Sequence, residues 1–210
     1  MDSQLSEQIA QQKNRSVLLI LTGPTAAGKD TVINELVKRD PSIVKVITTT
    51  SRPMRDGESE KNPYYFLPRQ RFEELISEGA FFEWVEFRGE LYGTQKKTLE
   101  EALAKNATVI WKIETKGVKN IQEKIRSTVP RSVFAFITGS SLEQMKKRVI
   151  KGDSADKAAL TRWNEPLVIW ELKQFEDADY LVVNEDDRLM EAVAQIEAIV
   201  TSKRLAILSQ

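Results

Sequence analysis

The chain has 210 residues, 31 Lys and Arg against 31 Asp and Glu, 41% hydrophobic residues, and neither histidine nor cysteine. The length suits a single core, and a net charge of zero supplies no overall field toward nucleic acid or an anionic membrane. Without His and Cys, disulfides, thiol nucleophiles, imidazole bases and nearly every usual zinc site are excluded, so chemistry falls to Lys, Arg, Asp, Glu, hydroxyls and backbone.

The first fifteen residues, MDSQLSEQIAQQKNR, are polar and lack the apolar core of a signal peptide. No apolar run approaches the roughly 20 residues of a membrane span, so a soluble, cytoplasmic protein is expected. Residues 16–22 (SVLLILT) form an apolar run that ends in Gly and Pro, after which Val32, Ile33, Leu36 and Val37 recur at helical spacing. That order predicts a strand, a loop and a helix.

The loop holds Gly23, Pro24, Thr25, Ala26, Ala27, Gly28 and Lys29, then Asp30 and Thr31, which is the spacing G-x4-G-K in the strand-to-helix context that gives it meaning. Glycines let backbone N–H groups curl around an anion, the helix start adds partial positive charge, and Lys29 reaches outer phosphates. Asp30 stands where such loops carry a hydroxyl. It is either a first-turn carboxylate favoured by the helix dipole or a hard oxygen ligand for Mg²⁺. Thr31 supplies a hydroxyl there only if the loop register shifts by one residue.

Further apolar runs at 43–47, 107–113, 132–137 and 180–183 predict buried strands, with helical patterns at 117–126 and 141–151. Alternation of this kind implies an α/β fold, a parallel sheet with helices on both faces. Residues 48–98 interrupt the rhythm with Pro53, Gly57, Pro63, Pro68, Gly79, Gly89 and Gly93, and predict an inserted, loop-rich subdomain. Pro166 lies within the helical pattern from Arg162 to Leu172 and favours a kink, with Trp163 and Trp170 as packing residues on one face. The ends, 1–14 and 201–210, are expected to be loose.

The order Thr48-Thr-Thr-Ser-Arg52-Pro-Met-Arg55-Asp-Gly57-Glu58, then Tyr64-Tyr-Phe66, Glu83-Trp84 and Tyr92-Gly93-Thr94 resembles guanylate kinase from about residue 16 to 200. The resemblance implies a P-loop NTPase-type core (about 15–47, 99–140 and 174–200), an NMP-binding subdomain at 48–98 and a helical lid at 141–173. It implies that Arg52, Arg55, Tyr64 and Tyr92 hold the phosphate of GMP. Glu83 would accept from guanine N1–H and the 2-amino group, with Thr48 and Glu114 at the base edge and Gly93 and Thr94 beside them. On the donor side it implies that Arg148 and Arg162, with Lys151 near a further basic position, close over the triphosphate, and that Asn184 lies near adenine. Lys29, Arg52, Arg148 and Arg162 are then the catalytic candidates.

The implied activity is Mg²⁺-dependent transfer from ATP to GMP, and to dGMP because none of these contacts reads the 2′ position. No nucleic acid or membrane partner is expected, in a monomer or homodimer. A kinase for another nucleoside monophosphate or a phosphorylated sugar stays open, as does a catalytically weak binding module.

Two departures from the family pattern matter: Asp30 for a hydroxyl, and Lys112, in Trp111-Lys-Ile-Glu114, for a carboxylate. Either the pair exchanges charge across the Mg²⁺ site, with Lys112 free to contact phosphate or to pair with Glu114, or the two changes are independent. Exchange predicts that Asp30→Ser and Lys112→Asp each impair turnover and partly rescue one another in a double-mutant cycle; additive losses overturn it.

Overall fold

The computed structural model describes residues 16–105, 107–129, 131–151 and 163–208. Strand β1 (Val17–Thr22) is buried at every position. It lies between β7 (Thr108–Lys112) and β8 (Ser132–Thr138) in a five-stranded sheet ordered β2-β7-β1-β8-β9, all pairs parallel, with β2 (Val44–Lys45) and β9 (Tyr180–Val183) at the edges.

The two-residue period of β1 explains the layers. Leu19 and Leu21 face one side, where they pack with Ile33 and Leu36 of α1 (Lys29–Arg39) and Ala192, Val193 and Ile196 of α7 (Leu189–Leu208). Leu18 and Ile20 face the other, with Leu99 and Leu103 of α3 (Lys96–Leu103), Ile121 and Ile125 of α4 (Thr115–Thr128), Trp111 and Phe134. A bidentate contact from Arg39 to Glu197 ties α1 to α7 at the surface.

The strand expected at 43–47 is cut to two residues, although the Val46 N–H still donates to the Ile110 carbonyl at 2.9 Å. Beyond it the chain leaves for a second sheet, ordered β4-β3-β6-β5: β3 (Thr48–Thr50), β4 (Tyr64–Phe66), β5 (Phe81–Phe87) and β6 (Glu90–Gln95). The segment 48–98 is therefore more ordered than a loop-rich reading allows. Its own small core joins Phe72 of α2 (Arg69–Ser77) to Phe81 and Leu91, with the Phe72 and Phe81 rings stacked at 4.3 Å. Short alternating strands separated by Gly and Pro turns hid that sheet.

After β8 come α5 (Leu142–Lys151), α6 (Glu165–Leu172) and a 3₁₀ turn at Lys173–Asp177. Pro166 does not kink α6. It sits in the first turn, where its missing N–H has no helical partner to lose, and the Asn164 side chain caps by accepting from the Leu167 N–H at 3.0 Å. Trp163 precedes the helix and Trp170 is 42% exposed, so the two do not share a packed helical face.

Phe134 lies fully buried between β1 and α4. Phe134→Ala should cost about 3–5 kcal/mol of stability, read as a lower denaturant midpoint with unchanged slope.

Candidate active site

Strand β1 ends at a loop with little room for side chains. Gly23 has φ of 140°, and a Cβ there would collide with the Ile137 carbonyl of the neighbouring strand. Gly28, at φ of 83°, is the residue before α1 and lies against the Asn184 amide. The Lys29 ammonium folds back over the loop and donates to the carbonyls of Gly23 at 2.6 Å and Pro24 at 2.9 Å. Burial lowers the pKa of Lys29, opposed by the carboxylates of Glu114 and Glu171 and reinforced by Lys112. Thr25 donates its N–H to Glu171 of α6 at 3.3 Å and receives Arg88 on its hydroxyl at 3.3 Å. Ala27 is buried, Ala26 holds a left-handed φ of 64°, and Thr31 is exposed on α1.

Lys112 ends β7 directly across from the first turn of α1. Its ammonium donates to both oxygens of Asp30, at 2.8 and 3.0 Å, so its anionic partner is Asp30 and not Glu114. The lysine side chain is 10% exposed and the carboxylate 55%. Burial resists the charge on Lys112, but the Tyr64 phenol and Asp30 carboxylate outweigh it and raise the pKa. Burial likewise resists the charge on Asp30, and Lys112 outweighs it and lowers that pKa. Lys45 of β2 adds a further cation near Asp30.

Facing this pair, the second sheet presents a wall of aromatic and charged groups. The Lys112 ammonium lies 4.9 Å from the Tyr64 ring centroid, and the Arg52 guanidinium 5.6 Å from it. Tyr64 meets Tyr92 edge to face at 5.9 Å. Burial raises both phenols above their ordinary pKa, so they remain O–H donors at neutral pH. Arg52 is forked onto Glu58 at 2.8 and 2.9 Å, and Glu58 also accepts from the Arg55 N–H at 2.8 Å while the Arg55 residue itself is exposed.

Deeper in, the Trp111 indole donates to the Thr94 hydroxyl at 2.8 Å, which donates to Glu83 at 2.7 Å. Burial, opposed by Thr94 and aided by Glu114, pushes the Glu83 carboxyl up to about 7. Gly93 and Gly117 bracket Glu83 closely enough that a Cβ on either would press on it. Thr48, the register partner of Tyr64, is buried, and Glu114 immediately precedes α4.

On the opposite flank, Arg148 of α5 donates to the Asn184 carbonyl at 2.7 Å, to Asp186 at 2.8 Å, and to the carbonyls of Ala26 and Ala27 at 3.4 Å. The buried Asn184 amide donates to the Ala27 carbonyl at 3.0 Å. Arg162 lies outside the described residues. The loop residues Gly23 to Lys29, with Asp30 and Thr31 in the first turn of α1, stand at one end of the sheet, and Arg52, Tyr64, Tyr92, Glu83 and Thr94 belong to the second-sheet segment. Sequence reasoning missed Glu58, Glu171, Lys45 and Arg88 as partners; only Glu58, within the quoted arginine motif, carried a visible signal.

The guanylate kinase family profile matches residues 15–203. The chain belongs to the guanylate kinase family. It is 35% identical over 192 residues to a guanylate kinase of Carboxydothermus hydrogenoformans, covering 91% of each chain, and 33% identical to one of Clostridioides difficile, covering 90% of this chain and 89% of the other. The crystal structure of guanylate kinase from Anaplasma phagocytophilum superposes with a TM-score of 0.70 at 28% identity, over 90% of this chain and 86% of that one. The five-stranded parallel core with helices on both faces accords with that family.

Asp30 has its pKa depressed below the ordinary 3.8, so its contribution to stability is present above that value and is lost as pH falls through the lower folded value. Asp30→Asn should therefore lower the melting temperature near neutral pH, with the gap to the parent chain closing below about pH 4.

Proposed function

We propose that this chain is a guanylate kinase in activity as well as family, transferring the γ-phosphoryl group of ATP to GMP, and to dGMP, to give ADP and a guanosine diphosphate. The observation that carries the reading is the shared mouth: the Lys29 loop on one side and, across it, a guanidinium, two protonated phenols and a buried carboxylate. The family supplies the roles. Residues 48–98 form the NMP-binding part, and 141–173 the lid.

On the acceptor side, Tyr64 and Tyr92 donate to the phosphate together with Arg52 and Arg55, a planar fork suited to a tetrahedral anion. Glu83, held by Thr94, accepts from guanine N1–H and the 2-amino group, with Thr48, Gly93 and Glu114 around the base. Adenine presents an acceptor where guanine presents N1–H, a contrast of about 1–3 kcal/mol on the scale of bidentate base readout. On the donor side the loop N–H groups and Lys29 bind the ATP phosphates, Arg148 and Arg162 close over them, and Asn184 borders the adenine.

No general base is needed, because the acceptor phosphate has a second pKa of about 6 and is largely deprotonated at neutral pH. Positioning and fixed charge carry the catalysis.

Among the described residues no group of three acidic side chains offers a metal cage. Both oxygens of Asp30 are held by Lys112, so this half-exposed carboxylate would meet Mg²⁺ once that lysine turns away, the ion taking one or two protein carboxylates and completing its shell with phosphates and water. When bound, the ion neutralises charge on the phosphate oxygens.

The test is ADP release with ATP and Mg²⁺ across GMP, dGMP, AMP, CMP, UMP and dTMP. Turnover with GMP and dGMP alone is expected; a folded protein that binds GMP yet turns over no acceptor would be a binding module. Within that assay kcat/KM for GMP should climb as pH rises through about 7, because Glu83 must ionise to accept. Glu83→Gln should remove that step, leaving only the titration of the GMP phosphate near about 6.

A further inference from the structure

We propose that Lys112 is a ligand for the phosphate of the acceptor nucleotide, and that Asp30 is the anion that holds it in place while the site is empty. The proposal rests on the reading that this phosphate meets Arg52, Tyr64 and Tyr92.

Lys112 occupies the seam between the two phosphate sites. One side of its ammonium touches Asp30, next in sequence to the loop lysine; the other lies 4.9 Å from the centroid of the Tyr64 ring. Arg52 approaches the same ring at 5.6 Å, so two cations stand against one phenol on the acceptor wall.

Charge around the seam points the same way. Lys29, Lys45 and Lys112 all act on Asp30, and Lys112 in turn disfavours the charge on Lys29 and Lys45. Lys29, Lys45 and Lys112 lie close enough to repel in a partly buried cleft where Asp30, Glu114 and Glu171 supply the opposing charge, and the carboxylate in direct contact with Lys112, that of Asp30, is 55% exposed. The Asp30 carboxylate competes for the lysine, but its outer side is open to water. A phosphate dianion seated against Tyr64 offers the ammonium more charge and more acceptor oxygens than Asp30 does. Lys112 would then swing from Asp30 to the phosphate with its backbone fixed in β7. The competing view is that Lys112 only pins β7 to α1.

Calorimetric titration of the full chain with GMP and with guanosine, without ATP or metal, separates the two. Lys112→Met should weaken GMP roughly tenfold or more while leaving guanosine unchanged, as expected for loss of a charged contact to the phosphate alone. Asp30→Asn leaves Lys112 intact, frees it from its competitor, and should tighten GMP about two- to fivefold.

Equal losses of GMP and guanosine affinity in Lys112→Met would mean a structural role and overturn the proposal. So would tighter or unchanged GMP binding in that variant while Tyr92→Phe still weakens it, an outcome that keeps the acceptor-site reading. If Tyr92→Phe and Lys112→Met both leave GMP binding unchanged, the acceptor-site reading falls together with the proposal.

Discussion

The absence of space at Gly23 governs the geometry of the site. Strand β1 runs through the middle of the parallel sheet with side chains buried on both faces, and its loop turns against the Ile137 carbonyl of β8 where no Cβ fits. That contact fixes where the loop leaves the sheet, where α1 begins and hence where Lys29 and Asp30 emerge. Because β7 flanks β1 on the other side, in parallel and in register from Val17 with Thr108 to Leu21 with Lys112, Lys112 arrives at the same end of the sheet. The ion pair between Asp30 and Lys112 follows from the strand order as much as from the side chains.

The second sheet is attached to this core by hydrogen bonding as well as by chain connection. Trp111 is packed in the main core, yet its indole N–H serves the Thr94 hydroxyl on β6, and that hydroxyl orients Glu83 on β5. Each donor in the relay is satisfied, which matters because an unpaired polar group at that depth costs more than a hydrogen bond returns. Among the described residues no cation offsets the burial of the carboxylate at its end, and this is why it sits near neutrality in pKa while Asp30, beside lysines, moves the opposite way. Two carboxylates facing one cleft are thus separated by environment.

The fold was legible where burial imposes a period. The runs at 16–22, 107–113 and 132–137 became strands within a residue or two, because both-sided burial leaves an unbroken apolar string, whereas 180–183, expected to be buried, is an edge strand with Tyr180, Leu181 and Val183 exposed. The second sheet was not legible, because strands of three residues such as Thr48–Thr50 and Tyr64–Phe66 lie below the length at which alternation can be read. Pro166 misled for a different reason: a proline at a helix start and one in a helix interior look alike until the cap at Asn164 is seen. In the site, the loop glycines and Lys29 were readable from spacing alone, whereas Glu171 and Arg88 reach Thr25 from residues 146 and 63 positions away and carry no local signal.

A chain without imidazole or thiol must meet phosphate with lysines and arginines that keep their charge at neutral pH, and those cations have to be kept apart or paired before substrate arrives. Arg52 is paired with Glu58, Arg148 with Asp186, and Lys112 with Asp30, each cation at the rim of the cleft given an anion from the same chain. These pairs offset the mutual repulsion of the cations. Under the proposed roles, phosphate binding here is an exchange of partners, so that affinity is set by the difference between a phosphate and a carboxylate rather than by the full attraction of a bare cation. A site built this way holds its cations ready in the empty state, and the least solvated of the three anions gives the most resistance. By that criterion Glu58, at 16% exposure, holds Arg52 more firmly than Asp30, at 55%, holds Lys112. Of the two cations against the Tyr64 ring, Arg52 and Lys112, the lysine is therefore the one that the proposed phosphate contact can recruit more easily.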